Sequence, residues 1–233
     1  MALPLAGDRN AAEIAYWNGP GGQRWLSHQR SQDALLARRV APQGRVLGID
    51  VSAPLLERAR QLAPSGLPLE FAFADATVYG FEPGSADLLF SRFGVMFFTD
   101  PPRAFANMRR GLRSEGRMVF ACRREARHNP WLMLPLQAAY RHVPRLPEHS
   151  PEDPGPFSFA SETRVREVLV RAGWSDAKLE PVDLSFDLAE SRGLDRAVEM
   201  SLGIGPASRA HSVSLSGRAA VDDAPRTSAR RRV

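Results

Sequence analysis

Short apolar runs alternate with amphipathic segments through the middle of this 233-residue chain. The runs have the length of buried strands, and the segments between them place apolar residues on one helical face. The predicted strands lie at 43–50, at 67–76, within 85–98 and at 117–122, and the predicted helices between them at 52–63 and 100–116. Strands that are separated by helices pair in parallel, because the helix returns the chain to the start of the next strand. The alternation therefore predicts an α/β fold with a mostly parallel sheet and helices on both faces.

The densest group of glycines lies at residues 19–22, within the stretch YWNGPGGQRW. A glycine loop that cradles a cofactor follows a buried strand and opens a helix. The residues before this stretch, AGDRNAAEIA, are polar and rich in alanine, and they predict a short helix instead. The glycines are therefore interpreted as a turn between helices, inside an N-terminal helical cap at residues 1–40.

The second half of the chain has a different character. Proline and aromatic residues fill 123–160, which predicts a lid insertion made of a short helix and a long irregular segment. A capped helix is predicted at 161–174, and alternating apolar and polar residues at 177–188 predict an edge strand or hairpin. The core with its lid is predicted to span 41–205, followed by an irregular basic tail at 206–233.

The net charge of +5 lies mostly near the C-terminus, where residues 207–233 hold six arginines and two aspartates. The predicted folded part is nearly neutral, which disfavours a nucleic-acid partner. No apolar run is long enough to span a bilayer, and the first ten residues lack the pattern of a signal peptide, so a cytoplasmic protein without a membrane partner is expected. The single cysteine, Cys122, lies in an apolar run and is predicted to be buried. No metal site is predicted, because the histidines have no acidic partners at ligand spacing.

Polar residues follow the first three predicted strands, at the edge where open α/β sheets bind ligands. Asp50 closes the first strand, where its carboxylate either accepts hydrogen bonds from both hydroxyls of a ribose or caps the helix that starts near Ser52. Asp75 ends the second strand and either accepts a hydrogen bond from an adenine amino group or serves as a turn residue. Ser91 and Phe93 lead from the third strand into a loop that is suited to line a cofactor or substrate pocket.

A family resemblance rests on four blocks of sequence, GRVLGIDVSAPLLERAR, FADAT, ADLLFSRFGVMFFTDPPRAFANMRRGLRSEGRMVF, and GPFSFA followed by VREVLVRAGW. In this order and at these distances they resemble the class I S-adenosylmethionine-dependent methyltransferases, in the bacterial small-molecule branch similar to the ubiquinone-biosynthesis enzymes. The resemblance covers most of residues 10–205 and implies a Rossmann-like fold with S-adenosyl-L-methionine as cofactor. It implies cofactor contacts from Asp50 and Val51 to the ribose, Asp75 and Ala76 to the adenine, and Ser91 to the methionine part.

One part of the family pattern is missing. Family members place a strand and a glycine-rich loop before the strand that ends at Asp50, whereas here RSQDALLARRVAPQGRVLGID runs directly from a helix into that strand. The missing strand-loop-helix unit would have about thirty residues. Its strand is central in the family and its loop approaches the cofactor, so its loss predicts impaired cofactor binding. The N-terminal stretch resembles the family's cap over the cofactor, which brings Trp17 and Trp25 near the site unless both indoles pack within the cap.

The resemblance implies methyl transfer, and the apolar and aromatic residues of 129–159 favour a small apolar or aromatic acceptor whose site Phe93 and Trp131 line. Alternatively, Trp131 covers the sheet edge. The cofactor supplies the electrophilic methyl group, so transfer depends on positioning and no catalytic residue is assigned. His128 is either a base or a surface residue. Two alternatives remain open, a non-catalytic remnant or regulatory protein of the same descent and a nucleic-acid binder that uses its terminal arginines. The sequence does not determine the oligomeric state.

Overall fold

The structure is a computed structural model that describes residues 10–26, 32–147, 150–185, 187–189 and 191–211. The described residues form two compact units. The first takes in the residues up to 128 together with 150–183, and the second takes in 129–147 and 184–211. All four strands that the structure describes lie in the first unit, which also holds most of the candidate site residues.

Three helices precede the first strand, α1 (Ala11–Asn18), α2 (Pro20–Leu26) and α3 (Gln32–Val40). Only Gly19 separates α1 from α2, so the predicted turn at residues 19–22 is shorter than expected. Proline is favoured at the first position of a helix, which explains why α2 begins at Pro20. A side chain at Gly22 would collide with the carbonyl group of Trp17, and its Cβ would lie 2.9 Å from Oγ of Ser52. The absence of a side chain at Gly22 therefore allows α2 to pack closely against the end of α1 and Ser52.

The first parallel pair consists of β1 (Val46–Asp50) and β2 (Leu69–Phe73). They are connected by α4 (Ala53–Leu62), close to the predicted bounds, with Leu56 and Ala59 buried. Ser52 caps α4, because its Oγ accepts a hydrogen bond from the amide of Leu55 at 3.4 Å. The turn between β1 and α4 is thereby held at the carboxyl end of β1.

The second parallel pair consists of β3 (Ala86–Arg92) and β4 (Leu112–Ala121), with a short 3-10 helix (Gly94–Phe97) and α5 (Pro101–Gly111) between them. The helix predicted to reach residue 116 ends at Gly111, and the strand predicted to begin at 117 begins at Leu112. Leu112 is buried and pairs with Ala86. This long-range pairing overrides the local helical pattern, as tertiary context often does.

The core of the first unit lies on one face of the β3–β4 pair. Phe105 of α5 is completely buried and stacks on Phe159 with the ring centroids 5.9 Å apart. The strands and α7 (Glu162–Arg171) pack apolar side chains against this pair, namely Leu89, Met118, Phe120, Val165, Val168 and Leu169. Helices α5 and α7 therefore bury the apolar side chains that alternate inward along both strands.

The opposite face of the β3–β4 pair is bare in the part of the chain that the structure describes. Leu88, Phe90 and Val119 are 48%, 47% and 52% exposed, although parallel sheets are usually covered on both faces. Among the described strands, β1 pairs only with β2, and β3 pairs only with β4. The parallel pairing and the flanking helices confirm the predicted α/β class, but the sheet consists of two separate pairs.

The second unit contains α6 (Pro130–Ala139), α8 (Leu194–Gly203) and a helical segment at 205–211. Its small core contains Leu136, Ala207 and Ala210. Helical structure thus continues past residue 206, where the irregular tail was expected to begin, and residues 212–233 lie outside the described ranges. The predicted lid is divided, because 129–147 pack in this unit and 150–160 belong to the first.

The edge strand expected at 177–188 is not observed, because residues 177–185 have no regular secondary structure. Val182 and Leu184 are 67% and 79% exposed. A strand needs a partner for its backbone groups, and the described strands pair only with one another. An alternating pattern alone therefore did not suffice to form a strand.

Candidate functional site

Asp50 and Asp75 come together at the carboxyl edge of the first parallel pair. Asp50 is the last residue of β1, and Asp75 lies two residues beyond the end of β2. The backbone carbonyl of Asp50 accepts a hydrogen bond from the amide of Ala74 at 3.0 Å. Parallel pairing thus brings both carboxylates to one edge of the sheet, where the sequence predicts a nucleoside site.

Asp50 is half-buried and orders the turn into α4. Its Oδ1 accepts a hydrogen bond from the backbone amide of Ser52 at 2.8 Å. A carboxylate that accepts a hydrogen bond from an amide two residues ahead forms a local turn before the helix. The N-cap of α4 is Ser52, so Asp50 orders the turn before the helix and has one carboxylate oxygen occupied.

Asp75 is buried, with 2% of its surface exposed. Its Oδ1 accepts a hydrogen bond from the amide of Thr77 at 2.8 Å, and its Oδ2 accepts one from Nδ2 of Asn10 at 2.6 Å. Asn10 is itself 6% exposed. Both oxygens of the carboxylate therefore have donors from the chain, one from the local turn and one from the residue that precedes α1.

Helix α1 lies across the carboxyl ends of the strands. At its C-terminal end, Nδ2 of Asn18 donates a hydrogen bond to the carbonyl of Val51 at 2.6 Å, and its Oδ1 accepts one from the amide of Ala53 at 2.9 Å. Oγ of Ser52 donates to the carbonyl of Trp17 at 2.6 Å. Together with the Asn10–Asp75 hydrogen bond, these contacts fasten α1 to the turns that follow β1 and β2.

The ring of Trp17 extends this contact toward the second parallel pair. It meets Phe97 edge to face, with the ring centroids 5.0 Å apart, and Phe97 belongs to the short helix that follows β3. The sequence-based expectation that Trp17 lies near the candidate site agrees with this position, and the indole also packs within the cap. The side chain of Trp25 lies outside the described residues.

The other predicted site residues are distributed around the same edge. Ser91 is half-buried on β3, and strand alternation places it on the face of Leu89, which packs against the core. Phe93 follows β3 with φ 67° and ψ −6°. The carbonyl of Ala76 accepts a hydrogen bond from Nδ2 of Asn107 at 2.9 Å. Trp131 lies on α6, in the second unit, so its role toward an acceptor stays a prediction.

Three asparagine side chains shape the site, and the sequence analysis identified none of them. Asn10 and Asn18 fasten α1, and Asn107 of α5 donates to the carbonyls of Ala76 and Tyr79 at 2.9 and 2.8 Å. Each bond joins residues that are at least 28 positions apart in sequence. An asparagine next to a helix end predicts a local cap, and no sequence pattern identifies a distant acceptor.

Cys122 comes directly after β4 and is half-buried, in agreement with a packing role. Its Sγ lies 3.7 Å from the carbonyl oxygen of Phe159, to which it donates. Burial raises the pKa of the Cys122 thiol. Reactive thiols instead have lowered pKa values, because the thiolate is the nucleophile.

Within the described ranges, no group of three or more histidine, cysteine, aspartate or glutamate residues is placed to hold a metal ion. In the same part of the chain, no helix combines the length and the apolar character needed to cross a membrane.

Residues 31–120 match the family described as "Methyltransferase domain". The matched range contains both strand pairs of the first unit and the carboxylates at their edge. This segment, which is less than half of the chain, is therefore similar to a methyltransferase domain. The residues that carried the resemblance in sequence, from the GRVLGID strand to the RMVF strand, lie within the range that the family covers.

Two curated relatives are also named as methyltransferases. The chain is 24% identical to a malonyl-[acyl-carrier protein] O-methyltransferase of Xylella fastidiosa over 177 residues, which are 76% of this chain and 56% of that protein. It is 32% identical to a demethylmenaquinone methyltransferase of Thermus thermophilus over 112 residues, which are 48% of this chain and 51% of that protein. The chain thus spans about half the length of these relatives.

Among solved structures, the chain is similar to a Haloferax volcanii methyltransferase in complex with the Trm112 methyltransferase activator. The identity is 19%, the TM-score is 0.47, and the similarity covers 85% of this chain and 92% of that one.

The residues of the carboxyl edge do not fit S-adenosylmethionine in this conformation. The cavity beside Asp50 has a volume of about 80 Å³ and is lined by Gly48, Ile49, Asp50, Leu55, Leu56, Ala59 and Phe71. Pockets for small molecules have about 300–1,000 Å³. In addition, Asp75 is buried beneath Asn10. A nucleoside therefore reaches the carboxylate of Asp75 only if Asn10 moves away from it.

Proposed function

We propose that this methyltransferase domain binds S-adenosylmethionine at the carboxyl edge of β1 and β2 in a conformation in which α1 has moved away. The observation that carries this proposal is the adjacency of Asp50 and Asp75 at the ends of two parallel strands. Family resemblance assigns the ribose to Asp50 with Val51 and the adenine to Asp75 with Ala76. The bound cofactor would supply a methyl group attached to a sulfonium ion.

Closure by α1 is expected to weaken cofactor binding, because affinity falls by the fraction of molecules that are open. Four side-chain hydrogen bonds hold the ends of α1 to the turns, made by Asn10, Asn18 and Ser52. A net contribution of about 0.5–1.5 kcal/mol from each, and more for the bond to the carboxylate, amounts to several kcal/mol. Since about 1.4 kcal/mol corresponds to a factor of ten, closure lowers the apparent affinity by orders of magnitude.

The proposed acceptor is a small molecule with an apolar or aromatic body. The support is the apolar and aromatic composition of 129–159 in sequence, which includes Trp131, and the half-buried ring of Phe93 at the end of β3. Of the curated relatives, the demethylmenaquinone methyltransferase is named for a small-molecule acceptor, whereas the malonyl-[acyl-carrier protein] O-methyltransferase is named for a malonyl group carried on a protein.

Titration calorimetry with S-adenosylhomocysteine, the demethylated cofactor, tests this proposal. We expect weak binding by the wild-type protein, and at least tenfold weaker binding by Asp50→Asn. Glu167→Gln, which neutralises an exposed carboxylate on α7, serves as the matched control and should bind like the wild type. Equal affinities of all three proteins would contradict the assignment of Asp50 to the cofactor.

A second candidate function is that of a non-catalytic protein of the same descent. The small cavity, the separated strand pairs and the burial of Asp75 favour it. It predicts that S-adenosylhomocysteine binds neither the wild type nor a variant in which α1 is released, such as Asn10→Ala. If S-adenosylhomocysteine binds Asn10→Ala measurably and does not bind the wild type, the result would instead support a methyltransferase whose cofactor site is covered by α1.

A further inference from the structure

Two arginine side chains meet on one aromatic ring at the carboxyl edge of the second strand pair. Arg92 is the last residue of β3, and Arg123 lies two residues beyond the end of β4. The guanidinium carbon of Arg123 lies 4.5 Å from the ring centroid of Phe93, and that of Arg92 lies 5.9 Å from the same centroid. The two cations are therefore neighbours at the edge where parallel α/β sheets bind their ligands.

The ring between them is held in a strained backbone conformation. Phe93 has φ 67°, in the left-handed region that bulky side chains rarely adopt. Its amide donates a hydrogen bond to the carbonyl of Ala121 at 2.9 Å, which fixes this geometry to the end of β4. Strained residues of this kind cluster at ligand sites, where the surrounding structure maintains them. The strain places the ring beside both guanidinium groups.

The electrostatics of the pair is unfavourable by itself. Burial, together with repulsion by Arg92, lowers the pKa of Arg123 to about 10. An anion placed between the two guanidinium groups would relieve the repulsion, and the planar fork of arginine matches the two oxygens of a carboxylate.

We propose that Arg92, Arg123 and Phe93 form a binding site for the carboxylate of a small organic acid. The two guanidinium groups would hold the carboxylate, and the half-buried ring of Phe93 would contact its apolar body. That this acid is also the methyl acceptor rests on the proposed function. The site itself depends only on the geometry at the ends of β3 and β4.

Titration of the protein with benzoate, followed by ligand-observed nuclear magnetic resonance, tests the site without any cofactor. We expect the neutral analogue benzamide to bind at least tenfold more weakly than benzoate. Arg92→Gln and Arg123→Gln should each lower the affinity for benzoate at least tenfold. Arg117→Gln removes the same charge from an exposed position on β4, at some distance from the carboxyl edge, and should leave the affinity unchanged.

Three outcomes would overturn the proposal. They are equal binding of benzoate and benzamide, unchanged benzoate affinity in Arg92→Gln, and binding of inorganic phosphate without binding of benzoate. Arg92 is exposed, so its variant keeps the test valid if Arg123→Gln fails to fold. Benzoate binding without methyl transfer would support the carboxylate site and count against the proposed function. Methyl transfer without benzoate binding would support the proposed function and count against the carboxylate site.

Discussion

The side-chain amide of Asn10 donates a hydrogen bond to Oδ2 of Asp75 at 2.6 Å, and both residues are buried. The two residues lie 65 positions apart in sequence. An adenine amino group would offer the same kind of donor to the same carboxylate. A nucleoside bound there as proposed would therefore compete with Asn10 for one acceptor.

Removal of the Asn10 amide should favour the open conformation. A hydrogen bond to a charged group contributes about 1.5–3 kcal/mol. We therefore expect Asn10→Ala to bind S-adenosylhomocysteine about tenfold or more tightly than the wild type, as measured by titration calorimetry. Gln61→Ala removes an amide from the exposed side of α4 and should not change the affinity. An unchanged or lower affinity of Asn10→Ala would refute competition by α1.

The contribution of the Ser52–Trp17 hydrogen bond to stability can be measured by comparing Ser52 with Ser161, a second serine that caps a helix. Ser52 and Ser161 each cap a helix by accepting an amide hydrogen bond at 3.4 Å, but only Ser52 also donates to the carbonyl of Trp17. Ser161→Ala should cost about 1 kcal/mol of unfolding free energy, as is typical of a lost cap. Ser52→Ala should cost about 1 kcal/mol more, because a second hydrogen bond is lost. Urea unfolding measures both, and equal losses would contradict the contact.

The two faces of the β3–β4 pair should respond differently to truncation of a phenylalanine. Phe105 packs beneath the covered face and is fully buried, whereas Phe90 on the bare face is 47% exposed. We expect Phe105→Ala to cost about 3–5 kcal/mol, in the range of large core truncations. Phe90→Ala should cost less than about 1 kcal/mol and lower the binding of a hydrophobic dye. A similar cost at both positions would mean that the bare face is covered in solution.

The Cys122 thiol gives stability a dependence on pH. Its pKa is raised by burial, so above the ordinary thiol pKa of about 8.5 the unfolded chain loses a proton that the folded chain keeps. The stabilisation is complete below that pH and declines as the pH rises toward the raised value. The unfolding free energy of the wild type should therefore fall more between pH 7.5 and 9.5 than that of Cys122→Ala. Parallel pH dependences of the two proteins would contradict the burial of the thiol.

Much of the local structure could be predicted from the sequence. The spacing of apolar residues at 52–63 and 161–174 predicts helices that the structure places at Ala53–Leu62 and Glu162–Arg171, with the serine caps at Ser52 and Ser161. The apolar run that ends at Asp50 forms β1 as expected. These features depend on residues within a few positions of one another, so the local sequence contains the information.

The local sequence pattern did not predict the secondary structure of segments whose conformation depends on pairing with a distant strand. The segment after Gly111 has helical spacing, yet Leu112 pairs with Ala86 and the chain becomes a strand. The alternating residues at 177–185 find no strand to pair with and remain irregular. In both segments the backbone hydrogen bonds depend on what lies beside the chain, which spacing along the sequence does not specify.

The sequence by itself determined the order of strands and helices, the two aspartates that follow the first pair of strands, and the resemblance to a methyltransferase domain, because these are encoded by neighbouring residues. Only the tertiary structure decided that Asn10 binds the carboxylate of Asp75, that the described strands form two separate pairs, and that Arg92 and Arg123 share the ring of Phe93. Each of these features joins residues that are far apart along the chain, and contacts of this kind are fixed by packing and hydrogen-bond geometry in three dimensions.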